Sequence, residues 1–129
     1  TQGSNENFLK ASEFYKQVIA SKKSSIETRE QAMFKLGKCE ENLGDLGAAL
    51  ANYMELIYSF ETDWNRGYKR DKLWVVKSAI SAIKIYIEKG DQASLSKAEN
   101  IYSRLITMGA ESVRQMRENI DSAKEKSKK

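Results

Sequence analysis

The stretch GKCEENLGDLGAA, residues 37–49, gathers most of the residue types able to do chemistry in this chain: the lone cysteine, a carboxylate pair and three glycines. A nucleophilic Cys39 would need a base or a helix N-terminus to form its thiolate. The chain contains no histidine, which removes Ser–His–Asp and Cys–His catalysis and the imidazole ligands of most catalytic zinc sites. Adjacent Glu40 and Glu41 project about 100° apart on a helix, so they cannot face each other as a glycosidase pair does. The glycines do not fit the G-x-x-x-x-G-K-[ST] phosphate loop. Further on, Asp63-x-Asn65-x-Gly67 has the outline of a calcium loop. Its glycine comes one place early, however, and Trp74 stands where the last ligand should be a glutamate. The expectation is no catalytic residue, no metal and no cofactor, with Cys39 a small packing residue between Leu36 and Leu43.

Binding chemistry has two candidate locations, and the first is the connection ETDWNRGYKR. Trp64, Arg66, Tyr68 and Arg70 there mix aromatic rings with cations, a combination that stacks on bases or holds an acidic peptide. The competing expectation is that both aromatics fold back over a gap between helices. A nucleic-acid partner is the alternative reading, because the net charge of +4 is small for a phosphate-binding stripe. The basic excess lies beyond residue 60, and the lysine-rich end SAKEKSKK is expected to fray.

The elements that must position these residues are legible from their periodicity. At 129 residues, 40% apolar and 31% charged, the chain has the balance of one soluble globular domain, 1–129. No apolar run approaches the roughly 20 residues of a membrane span. The opening TQGSNENF has neither the basic nor the apolar region of a signal peptide. Three segments are variants of one another: ASEFYKQVI at 11–19, ALANYMELI at 49–57 and AENIYSRLI at 98–106. Each reads alanine, tyrosine four residues on, then two aliphatics, all on one helical face. Between them, apolar residues recur at helical spacing over 27–43, 72–88 and 111–123. Six helices follow, at about 5–21, 25–43, 46–60, 71–89, 93–108 and 110–126. Ser24 with Glu27 reads as a capping box, Asp71 as a cap for the fourth helix, and Gly44, Gly90 and Gly109 as helix ends. With no proline in the chain, nothing interrupts these helices from within.

Residues 33–56 resemble a tetratricopeptide repeat: Leu36-Gly37 in a first helix, a Gly44-Asp45 turn, then Ala49 and Tyr53. Residues 76–106 repeat Gly90-Asp91, Ala98 and Tyr102, with Ala82-Ile83 in place of the Leu-Gly pair and an insertion around 94–96. The first helix looks like the second half of a repeat lacking its first half. The proline that usually closes a repeat is absent near Glu61, and the long loop 61–70 should displace the repeat that follows. The resemblance implies an all-α, tetratricopeptide-like α-α superhelix of about six antiparallel helices. Its hairpins are 5–43, 46–89 and 93–126, similar to the C-terminal end of bacterial tetratricopeptide proteins associated with the cell envelope. The compartment it implies is periplasm, envelope or cytoplasm.

The same resemblance implies a non-catalytic interaction scaffold whose first helices line a concave groove for a protein or peptide. Carried over by register, that groove takes Gln31, Phe34, Lys38, Glu41 and Asn42 from the second helix. The fourth helix contributes Lys77, Ile80, Lys84, Ile87 and Glu88. The lysines would meet carboxylates, and Phe34, Ile80 and Ile87 would form an apolar floor, unless the two isoleucines are simply core. Terminal faces of such arrays often expose apolar residues, so self-association through the terminal helices is a further expectation.

Overall fold

The computed structural model describes residues 2–128, and among them the fold is all-helical without strands. Six α-helices follow in order: α1 (Gln2–Ala20), α2 (Ile26–Asn42), α3 (Leu46–Asn65), α4 (Leu73–Lys89), α5 (Gln92–Thr107) and α6 (Arg117–Ser127). A 3-10 helix, Glu111–Met116, leads into α6. Consecutive helices pack side by side, and α4 also touches α2 before it and α6 after it. No helix among the described residues is long and apolar enough to cross a membrane.

The turns follow from local chemistry. Asp45 and Asp91 each begin a helix, accepting N–H bonds from Ala48 at 3.0 Å and Ser94 at 3.1 Å. These bonds satisfy donors that a helix start leaves free. Gly44 (φ 82°) and Gly90 (φ 74°) hold the left-handed conformation that ends the preceding helices. At the start of α2 the cap is one residue later than the capping box places it. Ser25 accepts from Thr28 N at 3.1 Å, while Ser24 donates its hydroxyl back to the Val18 carbonyl at 2.8 Å. Asp71 does accept the Leu73 N–H, at 2.8 Å.

Two expectations about element boundaries need correction. Helix α3 does not stop at residue 60 but runs to Asn65, so the supposed loop 61–70 shrinks to a short return beginning at Arg66. Phe60 and Trp64, one turn apart, stack with centroids 5.9 Å apart, and Glu61 pairs with Arg104 of α5. These contacts hold the extra turn and a half in place. Near the other end, residues 111–116 form a 3-10 helix instead of the start of an α-helix. Val113 and Met116, three residues apart, are both buried, and a three-residue turn brings them to the same side. Ile120, four residues later and also buried, resumes α-helical spacing.

The lysine-rich end is helical through Ser127. Arg117 and Lys124 both donate to Glu99 of α5, at 2.7 Å each, and the Arg117 guanidinium also lies 4.7 Å from the Tyr102 ring centroid. The Arg117 hydrogen bonds, aided by Lys124 and opposed by partial burial, hold the Glu99 carboxyl at about 2, well below its ordinary 4.5. A depressed carboxylate stabilises the fold above its unfolded value and loses that contribution as pH falls toward the folded one. The melting temperature should therefore drop between about pH 5 and pH 2, with a shallower fall in Glu99→Gln. Because about a third of the carboxylate faces water, the effect is modest. Identical pH profiles for the two proteins would show that Glu99 does not pin α6.

The core is centred on α3, α4 and α5. In the second and third copies of the repeated pattern, Ala49, Tyr53, Leu56, Ile57, Ala98, Tyr102 and Leu105 are all buried. In the first copy Ala11, Tyr15, Val18 and Ile19 are only half-buried, because α1 lies at the edge and packs mainly on α2. Leu9 and Phe14 of α1 face solvent.

Candidate functional site

The seam between α2 and α3 explains most of the opening motif. A Cβ on Gly37 would sit 2.3 Å from the Tyr53 ring, so only glycine lets the two helices meet there. The Tyr53 hydroxyl donates to the Glu41 carboxylate. Burial, then that hydrogen bond, pushes the phenol far above its usual range. Asn52 donates to Glu40 across the same seam. Cys39 is buried, and desolvation followed by the negative charge of Glu40 raises its thiol above the ordinary value. That is the opposite of an activated cysteine.

On the face where α2 meets α4, four predicted residues come together with one that sequence reasoning missed. The Phe34 ring lies 6.1 Å from Tyr53 and 5.9 Å from Trp74. Lys38 stands 5.9 Å and Lys77 6.0 Å from the Phe34 centroid, and Lys77 is 5.5 Å from Trp74. Lys38 also reaches Glu41 at 3.3 Å. The outcome is an aromatic pair rimmed by ammonium groups. From sequence, Trp74 stands out only as a failed calcium-loop position, because no repeat pattern marks it in the first turn of α4. Its position three residues before Lys77 was the available signal.

The other groove candidates are dispersed. Gln31 lines a separate cleft between α1 and α2, with Phe14, Tyr15 and Val18. Asn42 is exposed and donates to the Lys38 carbonyl of its own helix at 2.9 Å. Lys84 and Glu88 are exposed, one and two turns beyond Ile80, while Ile80 and Ile87 are half-buried against the core.

The loop candidates divide sharply. Trp64 belongs to α3 and is half-buried: Phe60 stacks on its ring, and Lys69 and Lys72 approach it at 4.1 Å and 4.3 Å. Arg70 is committed to the fold. Its guanidinium donates to Glu30 of α2 at 2.8 Å, lies 3.1 Å from Asp63 of α3, and covers the Phe60 ring at 4.5 Å. Only Arg66 and Tyr68 remain exposed, Tyr68 at 63%. The aromatics were expected to act alike, but Trp64 folds back and Tyr68 does not.

No family model, curated protein or solved structure matches this chain. Its functional reading therefore rests on its own surface.

A stability prediction separates the two roles of the loop. Arg70→Ala would leave Glu30, whose side chain is 8% exposed, without its cation. The expected loss is about 2 kcal/mol, less than for a fully buried pair because the arginine lies at an edge. Arg66→Ala should change urea stability by less than about 0.5 kcal/mol. Equal effects from both would mean that Arg70 does not join α2, α3 and the loop.

Proposed function

We propose that this chain is a non-catalytic protein-interaction module of tetratricopeptide-like construction, which presents the face of α2, α4 and α6 to an acidic, partly apolar peptide segment. The observation that carries the reading is the Phe34–Trp74 pair with Lys38 and Lys77 at its rim. Such a surface offers flat apolar area for a side chain and cations for a carboxylate. Further support comes from the packing: α4 touches both α2 and α6, the other two helices of this face, as well as its chain neighbours α3 and α5. The close Gly37–Tyr53 contact between α2 and α3 and the left-handed Gly44 before Asp45 also support this reading.

The test is selection of a displayed random-peptide library on the immobilised chain. Enriched peptides should carry Asp or Glu beside apolar residues, and should lose binding to Lys38→Glu/Lys77→Glu. Both lysines are exposed, so the double variant should keep its fold. Failure to enrich any peptide, or enrichment indifferent to the double variant, would sink the proposal.

A further inference from the structure

Two clefts open on the same side of α4. One, about 610 Å³, lies between Leu73, Val76 and Ile80 of α4 and Ser112 and Gln115 of the 3-10 helix. The other, about 380 Å³, lies between Ile87 and the α6 residues Asn119 and Ser122. Each has α4 as one wall; the opposite wall is the 3-10 helix in the first and α6 in the second, so the two follow one another along α4 as a furrow. The 3-10 turn, which departs from α-helical geometry next to α4, borders its wider part.

The floor of the furrow has a period. Leu73, Ile80 and Ile87 recur every seven residues, with Val76 between the first two. Leu73 is 47% exposed, and the other three are half-buried. Seven-residue spacing forms a nearly straight seam along a helix, about 21 Å from Leu73 to Ile87. A partner helix with the same spacing can set its side chains between those of this seam along its whole length. An extended strand, which turns alternate side chains to opposite faces, matches it poorly.

Charge selects the partner's flank. Lys77 and Lys84, also seven apart, run along one edge of the seam, and neither has a carboxylate partner among the described residues. The nearby acids are mostly engaged: Glu111 pairs with Arg114, and Asp71 accepts the Leu73 N–H. Among the described residues, Glu88 of α4 and Glu118 of α6 form no ion pair, and Glu88 stands at the far end of the lysine edge.

We infer that this furrow seats an amphipathic helix of about four turns, with apolar residues at heptad spacing and acidic residues along one flank. This rests on the peptide-binding reading above and narrows it to a helical partner and to the α4–α6 side. The experiment titrates the full chain, by NMR, with three synthetic peptides of about 18 residues. The first has heptad leucines and a glutamate flank, the second a lysine flank, and the third two central prolines in the glutamate version. The glutamate helix should shift the Ile80 and Ile87 methyl groups and the Gln115 side-chain amide. The lysine and proline peptides should bind at least about tenfold more weakly. Lys77→Glu/Lys84→Glu should reverse the preference between the first two.

Equal binding by the proline peptide would overturn the helical seat while leaving the peptide-binding reading intact. Shifts confined to Phe34 and Trp74 would do the same. No shift with any of the three peptides would overturn this inference alone, since the library selection judges the broader reading independently.

Discussion

Tyr53→Ala should destabilise the fold by about 3–5 kcal/mol, measured as a shift of the urea midpoint. The ring is fully buried and touches the Gly37 backbone position, Phe34 and the Glu41 carboxylate. Its removal opens a cavity at the junction of α2 and α3 and leaves Glu41 without its hydroxyl donor. Both losses act in the same direction. Tyr53→Phe should cost about 1 kcal/mol, because it keeps the packing and removes only the hydrogen bond. A Tyr53→Ala loss below about 0.5 kcal/mol would contradict the burial of the ring.

Gly37→Ala should be the second most damaging change, although alanine favours a helix over glycine by about 1 kcal/mol. The added methyl would lie 2.3, 2.7 and 2.9 Å from three carbons of the Tyr53 ring. That ring is rigid, enclosed and hydrogen-bonded, so it cannot step aside. Overpacking of this severity should exceed the propensity gain and leave a net loss of about 3 kcal/mol. The two substitutions are also coupled. In a Tyr53→Ala background the clash disappears, and Gly37→Ala should become neutral or stabilising. Additive losses in the double-mutant cycle would place the ring away from Gly37.

These two residues also mark what was legible in the sequence. Leu36-Gly37, Gly44-Asp45, Ala49 and Tyr53 lie within the adjacent helices α2 and α3 and the turn between them, so the roles read for them rest on local geometry: close approach, a left-handed turn, a cap and a space-filling ring. The six helices were readable for the same reason. Arg70 was not, because its partner Glu30 lies 40 residues away in sequence, and no local pattern links them. The overrun of α3 was visible only as the i, i+4 spacing of Phe60 and Trp64, which the expected repeat boundary obscured. The 3-10 helix was hidden because Val113 and Met116 suit either helical period.

At the candidate site, Phe34, Lys38, Glu41 and Lys77, carried over from the tetratricopeptide resemblance by register, lie near one another on the face between α2 and α4. Their company with Trp74 needed the packing of α4 on α2, and the furrow needed the departure of residues 111–116 from α-helical geometry.

The packing of each helix chiefly on its neighbours in the chain has a kinetic consequence. Most native contacts close only short loops, so little chain entropy is lost before stabilising burial begins. Folding should then proceed in the microsecond to millisecond range typical of low-contact-order helical proteins. It should start where burial is densest, among α3, α4 and α5. The edge helix α1, held mainly by α2, should join last and be the first to open, so its amides should exchange with solvent ahead of the rest.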